Sequence, residues 1–376
     1  MKAKRIGIDA RLYFQTGVGT YLKNLLKFLP QNLHKDIEIY VYVLPQDVSR
    51  ISIADKRITL RPINAPWHSL AEQTTFFKLL MHDELDLMHF TYFSFPVMYK
   101  RPFIATVHDL TPLLFKTGRA STLFPLLYEL KYRVFTYILK KQIEHATCIV
   151  TPTKTVKKQI VQVYGSRYAE KIQSIYEGVN SALLDASVSS VDTLFPEISM
   201  KYYLYVGNFY PHKNVERLLL AHKFIPESER NDLVLVGPDN TFAQTLRNSI
   251  ESSQLKGVHF LHSVNDSELA SLYTHAQAFI NPSLSEGFGL PLIEATYFKC
   301  PVIASDIPVF KELLGDAYTA FDPTDIQDIA EKLRIARKEL PIAHLSKSMS
   351  FETMTKQTAQ IYSELIHSPN TYGTTK

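Results

Sequence analysis

The sequence predicts an α/β protein of two domains, each a parallel sheet covered by helices on both faces. Short runs of Ile and Val alternate with segments of helical spacing through the first half of the chain. A Ser-rich, weakly periodic stretch at 183–200 interrupts the alternation, which then restarts. Such alternation argues for βα units, because strands buried on both faces read as continuous apolar runs. A length of 376 residues suits two domains of common size. We expect a first domain at 1–182, a linker at 183–200, a second domain at 201–349 and a C-terminal helix within 350–376.

Taken in order, the first domain reads as strands at 5–9, 37–43, 58–61, 85–90, 103–107, 147–151 and 171–176, with helices at 20–29, 69–82, 123–145 and 154–164. The opening strand follows Lys2, Lys4 and Arg5, but its apolar run is short and carries Asp9, so it reads as a strand rather than a signal peptide. The second domain reads as strands at 202–206, 233–236, 258–261, 278–280 and 302–304. Its helices fall at 215–225, 241–251, 266–275, 290–298 and 324–338, and Asn214 is placed to cap the first of them. A last helix at 351–366 follows a Ser350 cap. No tandem repeat of fixed period is present.

Composition is that of an ordinary globular protein, with 45% hydrophobic and 21% charged residues. Cys148 and Cys300 alone make neither a disulfide framework nor a Cys-rich zinc site, which suits a reducing cytosol. The longest run without Asp, Glu, Lys or Arg, 269–285, holds Gln277, Asn281 and Pro282, so no transmembrane helix is expected. The net charge of +4 hides an asymmetry. Residues 1–185 carry 25 Lys and Arg against 15 Asp and Glu, and the remainder carries 16 against 22. A basic first half suits an anionic membrane or acceptor. Nucleic acid is not expected, because no recognised nucleic-acid-binding signature accompanies the charge.

The most informative stretch is 281–295, N-P-S-L-S-E-G-F-G-L-P-L-I-E-A. Seven residues separate Glu286 from Glu294, among them Gly287, Phe288, Gly289, Leu290 and Pro291. A buried strand precedes the stretch, and Pro291 suits a helix's first turn. Glu286 therefore belongs to a strand-to-helix loop and Glu294 lies about one turn into the helix. Glycines let a ligand approach the backbone closely, and a helix start favours an anion. An anion flanked by two hydroxyl-seeking carboxylates describes a nucleotide-sugar site.

This pattern resembles the Glu-x7-Glu signature of the family-4 retaining glycosyltransferases. The resemblance implies the GT-B fold: two Rossmann-like domains facing each other across a cleft, with the final helix crossing back to the first. It also implies that Glu286 contacts hydroxyls of the donor sugar, that Glu294 holds the nucleotide ribose, and that 287–290 line the donor site. Residues 206–214, V-G-N-F-Y-P-H-K-N, resemble the family's V-G-x-x-x-P-R-K-N loop, which makes Lys213 the cation for the donor diphosphate. Asn208 stands where many members have a second cation, and His212 where Arg often precedes the Lys. Residues 105–111, A-T-V-H-D-L-T, resemble the His-Asp motif, with His108 hydrogen-bonding a sugar hydroxyl and Asp109 bracing its loop or approaching the acceptor rather than acting as a nucleophile. Gly17 and Gly19 in Q-T-G-V-G-T-Y resemble the Gly-rich loop near the acceptor and the donor phosphates, which makes their N–H groups backbone donors there. Phe260 to Val264 match the nucleobase edge, with His262 replacing the usual small residue. Residues 177–180, E-G-V-N, resemble a structural turn.

The resemblance implies a retaining, metal-independent hexosyltransferase with no cofactor. Its donor would be a nucleotide-sugar, GDP-mannose-type or UDP-linked, and its acceptor a glycan or lipid-linked glycan in cell-surface polysaccharide or glycolipid synthesis. The alternatives are a GT-B phosphorylase, a nucleotide-sugar epimerase, or a catalytically silent nucleotide-sugar-binding protein. A cytoplasmic location is expected, peripheral on the inner membrane face. The helix at 123–145 combines Phe124, Leu127, Tyr132, Phe135, Tyr137 and Ile138 with Lys131, Arg133, Lys140 and Lys141, a composition that suits docking on an anionic membrane.

Overall fold

The computed structural model describes residues 3–115, 125–335 and 340–367. They form two compact units, the first from residues 3–113, 125–177 and 348–367, the second from 114–115, 178–335 and 340–347.

The first unit is built on β1 (Lys4–Asp9), β2 (Ile37–Val43), β3 (Ile58–Pro62), β4 (Leu87–Phe90), β5 (Phe103–Thr106), β6 (Cys148–Thr151) and β7 (Ile172–Ser174). All pair in parallel, in the order β3-β2-β1-β4-β5-β6-β7. Ile6 of β1 lies opposite Ile39 of β2 and Leu87 of β4, and all three are fully buried. The chain runs outward to one side from β1 and to the other from β4. The crevice at their carboxyl ends is where such sheets place ligands.

The second unit repeats the plan with β8 (Tyr202–Val206), β9 (Asp232–Val236), β10 (Val258–Leu261), β11 (Ala278–Asn281), β12 (Val302–Ser305) and β13 (Thr319–Phe321). The order is β10-β9-β8-β11-β12-β13, again all parallel, and the reversal falls between β8 and β11.

The expected strands are present, with ends shifted by a residue or two. The three-residue β13 and the helix Pro308–Leu314 were not expected, since both are too short for a periodic signal. The segment expected as one helix at 69–82 is a π turn, Glu72–Phe76, running into the helix Phe77–Asp83. Glu84 then ends it in the left-handed region, φ 49°. Of the helix expected at 123–145, residues 123 and 124 lie outside the described residues, as do 336–338 of the helix expected at 324–338.

Residues 183–200, expected as a linker, pack into the second unit, and the division between units falls between Glu177 and Gly178. Leu183, Val191 and Ile198 are buried there. A backbone bond ties the stretch to the helix Asp266–His275, with Ser189 N donating to Ser271 Oγ at 2.9 Å. Composition alone does not separate such a stretch from a free linker.

The final helix, Phe351–His367, returns to the first unit and packs on the helix Val18–Asn32. Ser350 caps it, its Oγ accepting from Thr353 N at 3.1 Å. Its buried face includes Met354, Ala359, Ile361, Tyr362 and Leu365. The Tyr362 hydroxyl lies 2.5 Å from His89 Nδ1, and His89 Nε2 lies 2.7 Å from Thr106 Oγ1. Burial, with the His108 charge adding to it, pushes the His89 pKa down to about 3, so this ring is neutral. Among the described residues, no helix is long and apolar enough to cross a membrane.

Candidate functional site

In the second unit, the loops leaving β8 and β11 meet at the sheet's reversal. The first loop turns through a short 3-10 segment, Pro211–Lys213, and the helix Val215–Phe224 follows. The second carries Glu286 and enters the helix Leu290–Tyr297. Asn214 fastens them. It occupies the cap position but makes no side-chain cap bond, because its backbone is left-handed at φ 60°. Its Nδ2 instead donates to Pro282 O at 3.0 Å and to Pro323 O at 2.8 Å. The capping role expected for Asn214 is thus replaced by a clamp between loops. Leu284 N adds a second tie, to His212 O at 2.8 Å.

That clamp brings Lys213 and Glu286 together, with Lys213 Nζ 2.7 Å from Glu286 Oε1. Ser283 Oγ donates to the same oxygen at 2.8 Å. Burial alone would raise the Glu286 pKa, but the Lys213 charge and the hydrogen bonds from Lys213 and Ser283 outweigh it and hold the carboxyl below its usual range. The pair places a fixed cation beside a carboxylate in a largely desolvated loop, where both act more strongly than in water.

Glu294 stands apart from that pair. It is the fifth residue of its helix, buried, and accepts a bond from the Tyr273 hydroxyl at 3.0 Å. Burial raises its pKa to about 7, and the hydrogen bond from Tyr273 only partly opposes the rise. Between the two carboxylates, Gly287, Phe288 and Gly289 are buried and Leu290 half-buried. Gly289 adopts φ 89° at the helix start, which favours glycine. A Cβ there would also lie 3.1 Å from the Phe310 ring.

Asn208 follows β8, and its carbonyl accepts from the Tyr205 hydroxyl at 2.5 Å. Val264 is half-buried beyond β10. Beside it, His262 Nδ1 donates to Gly237 O at 2.6 Å while Nε2 accepts from Arg247. Both ring nitrogens are therefore engaged within the protein.

His108, Gly17 and Gly19 belong to the first unit. His108 Nδ1 lies 3.2 Å from Glu177 Oε1, and Nε2 lies 3.0 Å from Thr91 O. Both partners are acceptors, so only a ring protonated on each nitrogen satisfies both contacts. A sugar hydroxyl at His108 would take the place of one of them. Asp109 braces its loop by accepting from Thr111 N at 2.7 Å. Gly17 precedes the first helix with φ 64°. Gly19 N is committed to Gln15 O at 3.0 Å, so it does not serve as the phosphate donor expected of it. A Cβ there would lie 2.6 Å from Tyr13 O, which accounts for the glycine by close packing.

Sequence reasoning missed four contributors: Ser283, Tyr273, Phe310 and Glu177. Ser283 lay inside the quoted motif, three residues before Glu286. Tyr273 and Phe310 are joined to the site only by folding. Glu177 sat in the turn read as structural.

Comparison with known proteins gives two matching family models, Glycosyltransferase Family 4 over residues 15–183 and Glycosyl transferases group 1 over 197–343. The chain is 30% identical over 286 residues to the O-antigen chain mannosyltransferase RfbU of Salmonella typhimurium, covering 76% of this chain and 73% of that protein. It is 27% identical over 238 residues to the O-antigen chain mannosyltransferase B of Escherichia coli, covering 60% of this chain and 62% of that one. Sucrose-phosphate synthase from Thermosynechococcus elongatus superposes with a TM-score of 0.72 at 17% identity, over 97% of this chain and 100% of that chain. The Anabaena protein HepE, in complex with UDP and glucose, gives 0.73 at 17% identity, over 96% of this chain and 100% of that one. At these identities the two structures speak to the fold.

Proposed function

The chain belongs to the family-4 glycosyltransferases of group 1 type, with GT-B architecture, and from that premise we propose that it is a retaining hexosyltransferase in cell-surface polysaccharide synthesis. Its donor is a nucleotide-sugar, GDP-mannose first and a UDP-sugar second. Its acceptor is a glycan or lipid-linked glycan. The names of the O-antigen mannosyltransferases support the order of donors.

The observation that carries the reading is the Lys213–Glu286 pair, with Glu294 one helical turn beyond it, at the reversal of the second sheet. Lys213 swings from Glu286 to the donor diphosphate and stabilises the charge left when the sugar departs. Glu286, freed, accepts hydrogen bonds from hydroxyls of the transferred sugar. Glu294 accepts from the ribose hydroxyls. The bond from the anomeric carbon to the diphosphate breaks, and the bond to the acceptor oxygen forms on the same face. The acceptor's proton passes to the leaving phosphate oxygen. This scheme asks for neither a protein nucleophile nor a divalent cation.

The test is transfer from GDP-mannose, UDP-glucose and ADP-glucose to glycan acceptors, with and without EDTA. Product anomers are assigned by NMR. We expect the α-linked sugar from an α-linked donor at an EDTA-independent rate. Inversion, metal dependence, or turnover without a second sugar would each overturn the scheme.

Peripheral attachment to an anionic membrane forms part of the same reading. On the helix Pro125–His145, Leu130, Val134 and Tyr137 are exposed at positions that share one face. Lys131, Arg133 and Lys140 are exposed around them, while Phe135 and Ile138 pack inward. Phe124 lies outside the described residues, and so does the Leu127 side chain. Sedimentation with anionic liposomes is expected at low salt and should fall as salt rises. Protein that stays in the supernatant with anionic vesicles at low salt would remove the attachment.

A further inference from the structure

In the second unit, a fully buried phenol is aimed at one of the two motif carboxylates. Tyr273 belongs to the helix Asp266–His275, whose start is fixed by a capping box between Asn265 and Glu268. Its ring stacks on Phe298, with centroids 5.8 Å apart at 7°, and leans on Phe279, also at 5.8 Å. A phenylalanine would meet the same packing without burying a hydroxyl, which costs stability unless that hydroxyl is bonded. The Tyr273 hydroxyl is bonded, donating to Glu294 Oε2 at 3.0 Å. Among the described residues it is the one hydrogen-bond donor to that carboxylate. Oε1 remains as the acceptor for a ligand hydroxyl.

The other groups around Glu294 do nothing to favour its charge. Asp266, in the first turn of the helix that carries Tyr273, opposes ionisation with its own negative charge. Cys300 lies near Tyr273, and burial pushes its thiol up to about 12, so it is neutral. Strands β11 and β12, which also pack on the helix Leu290–Tyr297, bring no titratable side chain. Burial and the Glu294 charge hold the Tyr273 hydroxyl well above the usual phenol range, so it stays a donor. A fixed donor favours the ionised carboxylate over the neutral acid. Tyr273 thus does for Glu294 what Lys213 does for Glu286, with a dipole in place of a charge.

We propose that Tyr273 is a positioning residue for nucleotide recognition, its hydroxyl holding Glu294 in the orientation and charge state that accept from the ribose hydroxyls. The inference rests on the ribose role proposed for Glu294 and adds a residue that acts only through it. It also makes donor affinity depend on pH. Below about pH 7 the Glu294 carboxyl takes up a proton and affinity falls, and above it affinity levels off. Removing the phenol's bond disfavours the charged form, so the rise in affinity moves to higher pH. A buried side chain that does not touch the donor then sets the pH at which the donor is held.

The full-length protein is titrated calorimetrically with GDP-mannose, and separately with UDP-glucose, from pH 6 to pH 8.5. The diphosphate of either donor is esterified at both ends and keeps its charge across this range. Wild-type affinity should rise through about pH 7. In Tyr273→Phe, which keeps the ring packing, the rise should move up by about one pH unit or more, with binding about tenfold weaker at pH 7. The gap should narrow to about threefold by pH 8.5. On a Glu294→Gln background, Tyr273→Phe should change binding by less than about twofold, because the two residues act as one unit. An unmoved pH profile in Tyr273→Phe, or an equal loss on the Glu294→Gln background, would reduce Tyr273 to packing and overturn the proposal. Failure of the donor reading looks different: wild-type protein would bind neither nucleotide-sugar at any pH, which removes that reading and this inference together.

Discussion

Replacing Lys213 by alanine is expected to cut turnover about a hundred- to a thousandfold, the usual loss when one preorganised donor to developing charge is removed. The same change strands a half-buried carboxylate. Glu286 would keep Ser283 but lose its counter-charge, and taking one partner from a part-buried pair should lower stability by less than the roughly 3–5 kcal/mol of a fully buried one. Lys213→Ala should therefore be slow and also easier to melt. The two effects separate in the double variant Lys213→Ala/Glu286→Gln, which removes the unpaired charge. Its melting temperature should recover towards wild type while turnover stays low. Near-normal turnover of Lys213→Ala at saturating donor would place the diphosphate elsewhere.

Glu294→Gln should move stability and function in opposite directions. With its pKa raised to about 7, Glu294 binds its proton more tightly in the folded protein than in the unfolded chain. Folding stability therefore declines as pH climbs from the unfolded value, near 4.5, through 7. Above that range the charged form costs on the order of 3 kcal/mol. Removing the charge should raise the melting temperature of ligand-free protein at pH 8 and leave it little changed at pH 4.5. Nucleotide binding should weaken instead, since a charged acceptor is worth about 1.5–3 kcal/mol per hydrogen bond. Donor-nucleotide binding near pH 7 should release protons in the wild type and not in the variant. Calorimetry in buffers of different ionisation enthalpy reads this directly, and equal proton release by both proteins would remove Glu294 from the ribose.

Much of this was legible in the sequence, for reasons that differ by element. Parallel strands such as Phe103–Thr106 announce themselves because both faces are buried, and Glu286 and Glu294 because their spacing straddles a Gly-Pro helix start. Less legible were features that depend on where separate loops land. Nothing local ties Tyr273 to Glu294, and nothing in the Ser-rich composition of 183–200 says that Val191 will be buried. Asn214 misled because a residue type good at capping is also good at left-handed turns. Gly19 misled in the other direction: the residue is there for close packing, and its N–H is already spent on Gln15.

The return of the last helix to the first unit has a consequence for how the protein is made. Synthesis delivers the seven strands of the first sheet early, but the helix that covers Val18–Asn32 leaves the ribosome only after the whole second unit. Until then the nascent first unit carries an uncovered apolar stripe, and His89 waits without its tyrosine hydroxyl. Domains commonly complete themselves in the order of synthesis. Here most of the later unit, residues 178–347, can finish first, and the earlier one closes when residues 351–367 arrive. The unfinished half of the nascent chain is thus the half most exposed to chaperones and to misassembly.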